Sequence, residues 1–350
     1  MIDSIKLKNF RNYGFEVFEF DKSINIIVGP NATGKTNLIE AILVLCQGSS
    51  YRAKDLELIN YNKTEALIEL EFKNQKRTVK LSKNGPRQKE FILNTNKLYT
   101  LTNTNKLPVI LFEPNELSLL NGPKENRRRF LDNTISQTTT GYRKLLGEYS
   151  RAIAQRNKLL KVSSASDLIF PWNIRISQLA GQILTHRLKL VQEINSRIEG
   201  IYKNISRRAT ELSLNYINSI GINNYESKLL GVLENNLNQD RLIGHTTNGI
   251  HRDDFEMVLN GHPSNRVASR GESRSLVLAI KISQKYLIEQ QLNKSVIFIL
   301  DDVFSELDGQ RRKYLLEEIK DNQTFITTTD ADMIINHLKG QYKIIPISKS

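Results

Sequence analysis

The 350-residue chain has little cysteine and no long apolar run, and both shortages restrict what it can be. Cys46 is the single cysteine, so neither an internal disulfide nor a cysteine-based zinc site is expected. No apolar run approaches the roughly 20 residues that a membrane-spanning helix needs. The first residues, MIDSIKLKNF, lack the apolar core of a signal peptide. We therefore expect a protein of the reducing cytoplasm with no membrane partner.

Positive charge is abundant and unevenly distributed. The formal net charge is +13, and residues 121–210 contain 17 Lys/Arg against 6 Asp/Glu, a local excess of +11. Residues 1–50 contain five of each sign. A localised basic surface attracts polyanions, so this stretch indicates either a nucleic-acid partner or a solvated basic helical face.

Apolar periodicity predicts an α/β protein with an interruption. Short strands are predicted up to residue 28, and an apolar helix over 38–45 follows a glycine-rich turn. A period of 3.6 then replaces the alternation from about residue 115, before strands return near 255, 296 and 325. We expect a mixed sheet with a P-loop core and an antiparallel β part, into which a helical domain is inserted. The predicted segments are 1–114 for the first half of the core, 115–245 for a basic helical arm, and 246–350 for the second half.

The sequence GPNATGKT at 29–36 fits the pattern G-x-x-x-x-G-K-[ST], with an apolar strand before it and an apolar helix after it. Such a loop wraps phosphate oxygens with backbone N–H groups, and its glycines are expected to adopt positive φ. Lys35 is predicted to contact the β- and γ-phosphates, and the Thr36 hydroxyl to ligate Mg²⁺. The predicted ATP-binding residues are Gly29, Pro30, Asn31, Ala32, Thr33, Gly34, Lys35 and Thr36.

A second motif, VIFILDD at 296–302, is an apolar strand that ends in two carboxylates. An acid at the carboxyl end of a buried strand is where a Walker B residue holds Mg²⁺. Asp301 is therefore predicted as the metal residue. Asp302 is the candidate that orients or deprotonates the attacking water.

A third motif, SRGESRS at 269–275, opens an apolar helix about thirty residues before the Walker B strand. It resembles the signature of ABC-type ATPases, and SELD at 305–308 resembles their D-loop. In that class two heads enclose two ATP molecules. The resemblance implies that Ser269, Arg270, Gly271 and Glu272 meet the γ-phosphate held by a second copy, as an anion at a helix N-terminus.

The order of motifs along the chain resembles the RecF family of bacterial recombination proteins, which are SMC-like ABC ATPases. The matching sequences are FRNY at 10–13, FEPNELSLLNGPKENRRRFLD at 112–132, HRDD at 251–254, DDVFSELD at 301–308 and TTTD at 327–330. The resemblance covers nearly the whole chain and is weakest over 133–245.

The resemblance implies an ATP-dependent homodimer that binds DNA at gaps or duplex junctions and hydrolyses ATP slowly, with stimulation by DNA. It also implies action with RecR and RecO to load RecA, and a role in replication restart and the SOS response. Most ABC ATPases have Glu where this chain has Asp302, and the shorter acid predicts slow turnover.

Several residues have two interpretations each. Arg127, Arg128 and Arg129 are candidates for DNA phosphate or a partner head, or for a solvated face with internal ion pairs; Arg151 and Lys158 are further DNA candidates. His251 either approaches the nucleotide or the dimer interface, or is a structural hydrogen bonder. Asn12 and Tyr13 are placed near the adenine by analogy with related heads.

Two functions remain open from the sequence. The first is an ATP-gated DNA clamp of recombinational repair. The alternative is an ATP-switched module whose basic region contacts an acidic protein instead of DNA.

Overall fold

The computed structural model describes residues 1–73, 75–85, 87–162, 166–338 and 340–348. In chain order the strands are β1 (Ile2–Phe10), β2 (Tyr13–Glu19), β3 (Ile24–Val28), β4 (Glu65–Phe72), β5 (Gln75–Ser82), β6 (Lys89–Leu93), β7 (Asn96–Leu98), β8 (Val109–Phe112), β9 (Leu212–Ile217), β10 (Asp254–Leu259), β11 (His262–Pro263), β12 (Ile297–Asp301), β13 (Thr324–Thr328) and β14 (Tyr342–Pro346). The helices are α1 (Lys35–Gln47), α2 (Ser118–Asn121), α3 (Lys124–Thr138), α4 (Tyr142–Leu160), α5 (Ser166–Ser206), α6 (Tyr225–Asn235), α7 (Leu237–Ile243), α8 (Ser264–Val267), α9 (Arg270–Leu292), α10 (Gly309–Ile319) and α11 (Asp332–Ile335).

The chain divides into two compact units. Unit 1 combines 1–116 with 288–350, and unit 2 is the continuous segment 117–287. The first division lies within two residues of the predicted boundary at 114/115, whereas the second lies at 287/288 and not at 245/246. The reason is that β10 pairs with β9 along its whole length, and Gln284 of α9 donates a hydrogen bond of 2.9 Å to Thr134 of α3. These contacts hold 246–287 to the helical segment.

Unit 1 contains a parallel sheet in the order β14-β3-β13-β12-β8. Every residue of β12 and β13 is buried. A parallel strand covered on both faces requires a nearly continuous apolar run, which is what the sequence has before Asp301. Because the strands are parallel, the residues that follow β3, β12 and β13 all emerge at the same edge of the sheet.

The second sheet of unit 1 is antiparallel, in the order β2-β1-β4-β5-β6-β7. In β1, Ile5, Leu7 and Phe10 are fully buried while the lysines between them are exposed, as the alternation predicts. β4 pairs with β5 along its whole length, from Glu65↔Ser82 to Phe72↔Gln75. The core of unit 1 joins side chains of α1 to apolar residues of both sheets.

Unit 2 contains the helices α2 to α8, with α5 packed against both α4 and α6. Its sheet has the order β11-β10-β9. Asn260 and Gly261 connect β10 to β11 with φ of 50° and 78°, the left-handed pair of a two-residue hairpin turn. No helix within the described ranges is both long enough and apolar enough to span a membrane.

Candidate nucleotide site

The candidate nucleotide site lies at the carboxyl edge of the parallel sheet of unit 1. Residues 29–34 connect β3 to α1, and Asp301 is the last residue of β12. The strand–loop–helix context predicted for the phosphate-binding motif is therefore present. Gly34 is the N-cap of α1, where no side chain accepts a capping hydrogen bond and the first turn has no acidic residue. The amide groups of this helix start suit a phosphate.

The two motif glycines are required for different reasons. Gly34 has φ of +113°, and a Cβ there would lie 2.8 Å from Asn12 Nδ2 and from Tyr13 Oη. Gly29 is outside the left-handed region, so the prediction of positive φ for both glycines was wrong. A Cβ on Gly29 would instead collide with the carbonyl oxygen of Ile347. The left-handed residue that the sequence did not indicate is Ala32, with φ of 64°.

The FRNY sequence supports the phosphate loop from behind. Asn12 Nδ2 donates to the carbonyl of Thr33 at 3.1 Å, and Tyr13 Oη donates to the carbonyl of Gly34 at 3.0 Å. Asn12 and Tyr13 thus fix the loop backbone, and their position near the adenine stays a prediction.

Arg11, beside them, connects this segment to α1. It donates from Nε and Nη2 to the two carboxylate oxygens of Glu40, at 2.9 and 3.0 Å. The Glu40 side chain is fully buried and also accepts from Arg52 and Ser50. Burial alone would raise the pKa of Glu40, but these hydrogen bonds outweigh it and hold the pKa below its usual range.

Lys35, the first residue of α1, turns its ammonium toward the loop. Its Nζ donates to the carbonyls of Gly29 and Pro30 at 2.7 and 2.8 Å. Burial lowers the pKa of Lys35, and the nearby carboxylates of Asp302 and Asp301 oppose that shift. A charged, partly desolvated ammonium beside the loop suits a phosphate ligand.

Oxygen ligands suited to magnesium meet at Asp301. Its Oδ1 accepts from Thr36 Oγ1 at 3.2 Å and from Thr327 Oγ1 at 2.7 Å, and its Oδ2 accepts from Tyr51 Oη at 3.4 Å. A carboxylate and a threonine hydroxyl side by side form the donor set that Mg²⁺ prefers. Thr36 and Asp301 would therefore hold the ion, and the ion would neutralise phosphate charge when bound.

Asp302 has an unusual backbone for a non-glycine residue, with φ of 54°. Its amide donates to Thr327 Oγ1 at 3.0 Å. Thr327 therefore contacts both acids of the motif. Burial raises the pKa of the Asp302 carboxyl, while Lys35 lowers it and Asp301 raises it. A raised pKa is the direction expected for a proton acceptor in catalysis.

The signature segment belongs to unit 2. Ser269 and Arg270 are exposed at the start of α9, as predicted for a loop that opens a helix. Ser269 Oγ donates to Glu272 Oε2 at 2.8 Å, and the Glu272 amide donates back to Ser269 Oγ at 3.3 Å. This reciprocal pair is a capping box, which fixes the first turn of the helix.

Unit 2 uses two of the three consecutive arginines internally. Arg127 forms a two-bond contact with Asp254, at 2.7 and 3.0 Å, and Arg128 donates to the carbonyl of Asp253 at 2.9 Å. Arg129 is exposed and pairs with Glu125, four residues before it in α3. Arg127 and Arg128 therefore join α3 to the first residue of β10 and to the residue before it. Of these three candidates for DNA contact, Arg129 is the exposed one.

His251 forms hydrogen bonds through both ring nitrogens, to Tyr149 Oη at 2.7 Å and to the carbonyl of Thr246 at 3.2 Å. Burial lowers its pKa to about 4. The histidine is thus a neutral structural hydrogen bonder within unit 2, one of the two interpretations left open by the sequence. Asp253, two residues on, accepts from Tyr216 Oη at 2.8 Å, and burial raises its pKa to about 6.

Comparisons with known proteins agree on one family. The model of the RecF/RecN/SMC N-terminal domain matches residues 1–349. A protein of Alkaliphilus oremlandii named DNA replication and repair protein RecF is 33% identical over 94% of this chain and 93% of its own length. The chain belongs to the RecF family. Proteins of the same name from Acetivibrio thermocellus and Agathobacter rectalis are 33% and 34% identical, over 97% and 99% of this chain and 96% and 99% of theirs.

Solved RecF structures have the same fold. One, described as the recombination mediator protein RecF with ATP in the RecFOR pathway, has a TM-score of 0.85 and 29% identity, over 94% of this chain and 92% of that one. The corresponding structure with ATPrS has a TM-score of 0.90 and 28% identity, over 100% and 98% of the two chains. An Smc head from Pyrococcus furiosus, at 16% identity and a TM-score of 0.55, shows the fold alone, over 100% of this chain and 94% of its own. The predicted ABC-type ATPase head is thereby confirmed.

Sequence reasoning missed several residues of the RecF-type site in this chain. Tyr51 and Thr327 contact the Walker B residue Asp301, and Arg11 and Glu40 join the FRNY segment to α1. Two signals were visible: Glu40 is a lone acid within the apolar run LIEAILVLC, and Thr327 lies near the carboxyl end of the buried strand β13, which pairs with β12.

Proposed function

We propose that the chain is an ATP-gated DNA-binding ATPase of recombinational repair that acts as a dimer. The observation that carries the proposal is the meeting of Lys35, Thr36 and Asp301 at one edge of the parallel sheet, with Asp302 beside them. This arrangement suits Mg²⁺-ATP. The relatives named RecF, and the RecF structures described with ATP and in the RecFOR pathway, support the extension to repair together with RecO and RecR.

In the proposed cycle the loop amides and Lys35 bind the triphosphate. A second copy then closes over it with Ser269 and the start of α9. The exposure of Ser269 and Arg270 supports this role, since a segment that meets a second copy must be accessible. ATP acts as a ligand with higher affinity for the dimer than for the monomer. Asp302 accepts a proton from the attacking water, and hydrolysis reopens the dimer.

Two single substitutions test this cycle. Lys35→Ala should abolish ATP binding and dimerisation. Asp302→Asn should preserve both ATP binding and dimerisation, because asparagine tolerates the left-handed backbone of this position. It should stop hydrolysis, because the proton acceptor is lost. Sedimentation with and without Mg²⁺-ATP, together with phosphate release, measures these effects. A wild-type chain that stays monomeric at saturating ATP contradicts the proposal.

A mixing experiment tests whether the site is shared between copies. The Lys35→Ala and Ser269→Arg chains should each be inactive alone. Mixed in equal amounts, they should recover about a quarter of the wild-type rate, because half of the dimers contain both chains and each of these has one intact site. No recovery on mixing means that each chain encloses its own nucleotide.

The DNA-binding surface is proposed on α4. Lys144, Arg151 and Lys158 are exposed and spaced seven residues apart, so they lie on one side of this helix. At about 1.5 Å per residue they span about 21 Å, long enough to contact several phosphates of a duplex. Arg129 of α3 is a further exposed candidate.

The salt dependence of DNA affinity tests this surface. A contact with several phosphates gives a log–log slope near −0.9 per phosphate, and neutralising Lys144, Arg151 and Lys158 together should reduce the slope by about two to three. The matched control removes three exposed lysines of unit 1: Lys63, Lys80 and Lys313. A slope near zero in the wild-type chain would favour the alternative function, in which the basic region contacts an acidic protein.

A further inference from the structure

A cavity opens at the edge of the parallel sheet opposite the nucleotide site. It has a volume of about 540 Å³ and is lined by the residues that precede β8 and β12, together with parts of β5 and β6. Pro108, Ser295 and Gln323 come just before the amino ends of their strands, whereas the phosphate loop follows the carboxyl end of β3. At about 3.3 Å per residue, the five-residue strands place these edges roughly 16 Å apart.

The lining of this cavity is charged with one sign. It contains five cationic side chains and, within the described part of the chain, no aspartate or glutamate. The cationic residues are Lys73, Lys76, Arg77, Lys106 and Lys294.

The positions of these cations suit a bound anion. Lys73 and Lys294 are exposed, and no carboxylate of the described residues lies within ion-pair distance of either. Lys76 contacts Glu69 at 2.9 Å, outside the lining. Arg77 is more buried and donates to the carbonyls of Leu45 and Asn105, and burial lowers its pKa. Cations that lack nearby carboxylates gather field lines in a low-dielectric cavity and concentrate anions there.

Part of the remaining wall is apolar, and the rest carries uncharged polar residues such as Gln75 and Asn94. Phe72, Leu93 and Val296 contribute to the apolar part, and the Lys73 ammonium lies 5.6 Å from the centre of the Phe72 ring. A volume of this size, with apolar side chains beside polar groups, lies within the range of pockets for small organic ligands.

We propose that this cavity binds a phosphate-bearing ligand, with its phosphate against Lys73 and Lys294 and its organic part against Phe72 and Leu93. Two sources carry this chemistry, a free nucleotide and the terminal phosphate of a DNA strand. The site lies entirely within unit 1 and is independent of the phosphate loop.

The experiment uses the full-length Lys35→Ala chain, in which the phosphate loop no longer competes for the probe. The first arm titrates adenosine monophosphate and inorganic pyrophosphate by calorimetry. The second arm compares a 5′-phosphorylated DNA hairpin with its 5′-hydroxyl counterpart by fluorescence anisotropy. Saturable binding in the first arm identifies a free nucleotide; a preference for the 5′-phosphate in the second arm alone identifies a strand end.

Either result must depend on the cavity lysines. Lys73→Glu with Lys294→Glu should weaken binding at least tenfold, and the glutamine pair should have a smaller effect in the same direction. Both positions are exposed, so the fold is expected to survive, and the circular dichroism spectrum checks it. The control pair Lys63→Glu with Lys313→Glu should change affinity by less than about twofold. The proposal is overturned if neither probe binds, or if the cavity substitutions leave affinity unchanged. ATP-dependent dimerisation is a separate readout that tests only the nucleotide site. It is measured in a chain that carries the Lys73→Glu and Lys294→Glu substitutions but keeps Lys35.

Discussion

Replacing Arg11 with methionine tests whether the ion pair between Arg11, which follows β1, and Glu40 of α1 stabilises the helix that begins at the phosphate loop. Arg11 donates two hydrogen bonds, of 2.9 and 3.0 Å, to a Glu40 carboxylate that is fully buried. Loss of one partner of a buried ion pair typically costs about 3–5 kcal/mol. Because Arg52 and Ser50 still contact Glu40 in the variant, we expect a loss of about 2 kcal/mol.

The assay is hydrogen exchange of the amides of α1, which reports the free energy of local opening. Amides of α1 should lose protection in Arg11→Met, whereas those of α5, in unit 2, should not change. Lys8→Met, at an exposed position of β1, is the matched control. Adding Glu40→Gln to Arg11→Met should cost less than the sum of the two single changes, by about 1–2 kcal/mol.

The pH dependence of the same measurement has a definite sign. The pKa of Glu40 in the folded chain lies below its ordinary value of 4.5, so its stabilisation is fully present above that pH. It is lost as the pH falls through the folded value. The difference between wild type and Arg11→Met should therefore shrink in acid. Equal protection of α1 in both chains at neutral pH, or full additivity with Glu40→Gln, would refute the reasoning.

Three other changes have outcomes that follow from single contacts. Gly34→Ala should abolish ATP binding in calorimetry, because its φ of +113° is left-handed and its Cβ would press on the Asn12 side chain. Arg156→Met should destabilise unit 2 by about 3–5 kcal/mol in urea unfolding, since it leaves the fully buried Asp240 carboxylate without its 2.6 Å partner. Asp253, whose folded pKa is raised from 3.8 to about 6, should make the free energy of unfolding decrease as the pH rises between these values, and Asp253→Asn should remove that decrease.

The sequence was sufficient for those parts of the site that depend on local order. A strand, a glycine-rich turn and a helix follow one another directly at 24–47, and the Walker B acids stand at the carboxyl end of a buried strand. Topology then explains why the two motifs meet, because parallel strands end at the same edge.

The contacts that the sequence did not predict join distant segments. Arg11 and Glu40 are 29 residues apart, and Tyr51 and Asp301 are 250 residues apart. Such pairs follow from the register of tertiary packing, which periodicity does not encode. Likewise, charge density over 121–210 could not distinguish Arg127, whose charge is neutralised by Asp254, from the exposed Arg151. The boundary at 287/288 falls within the continuous helix α9, where composition does not change.

The discontinuity of unit 1 has a consequence for synthesis on the ribosome. Strand β3, which carries the phosphate loop, lies between β13 and β14, and these are among the last segments to be translated. Unit 2 is continuous and complete once residue 287 has emerged, so it can fold before unit 1. During this time the apolar strand β3 has neither of its neighbours β13 and β14 to pair with. A chain truncated or stalled before residue 324 would therefore have a folded unit 2 and an incomplete, aggregation-prone unit 1. In that chain we expect chaperones to bind the unpaired strand at residues 24–28.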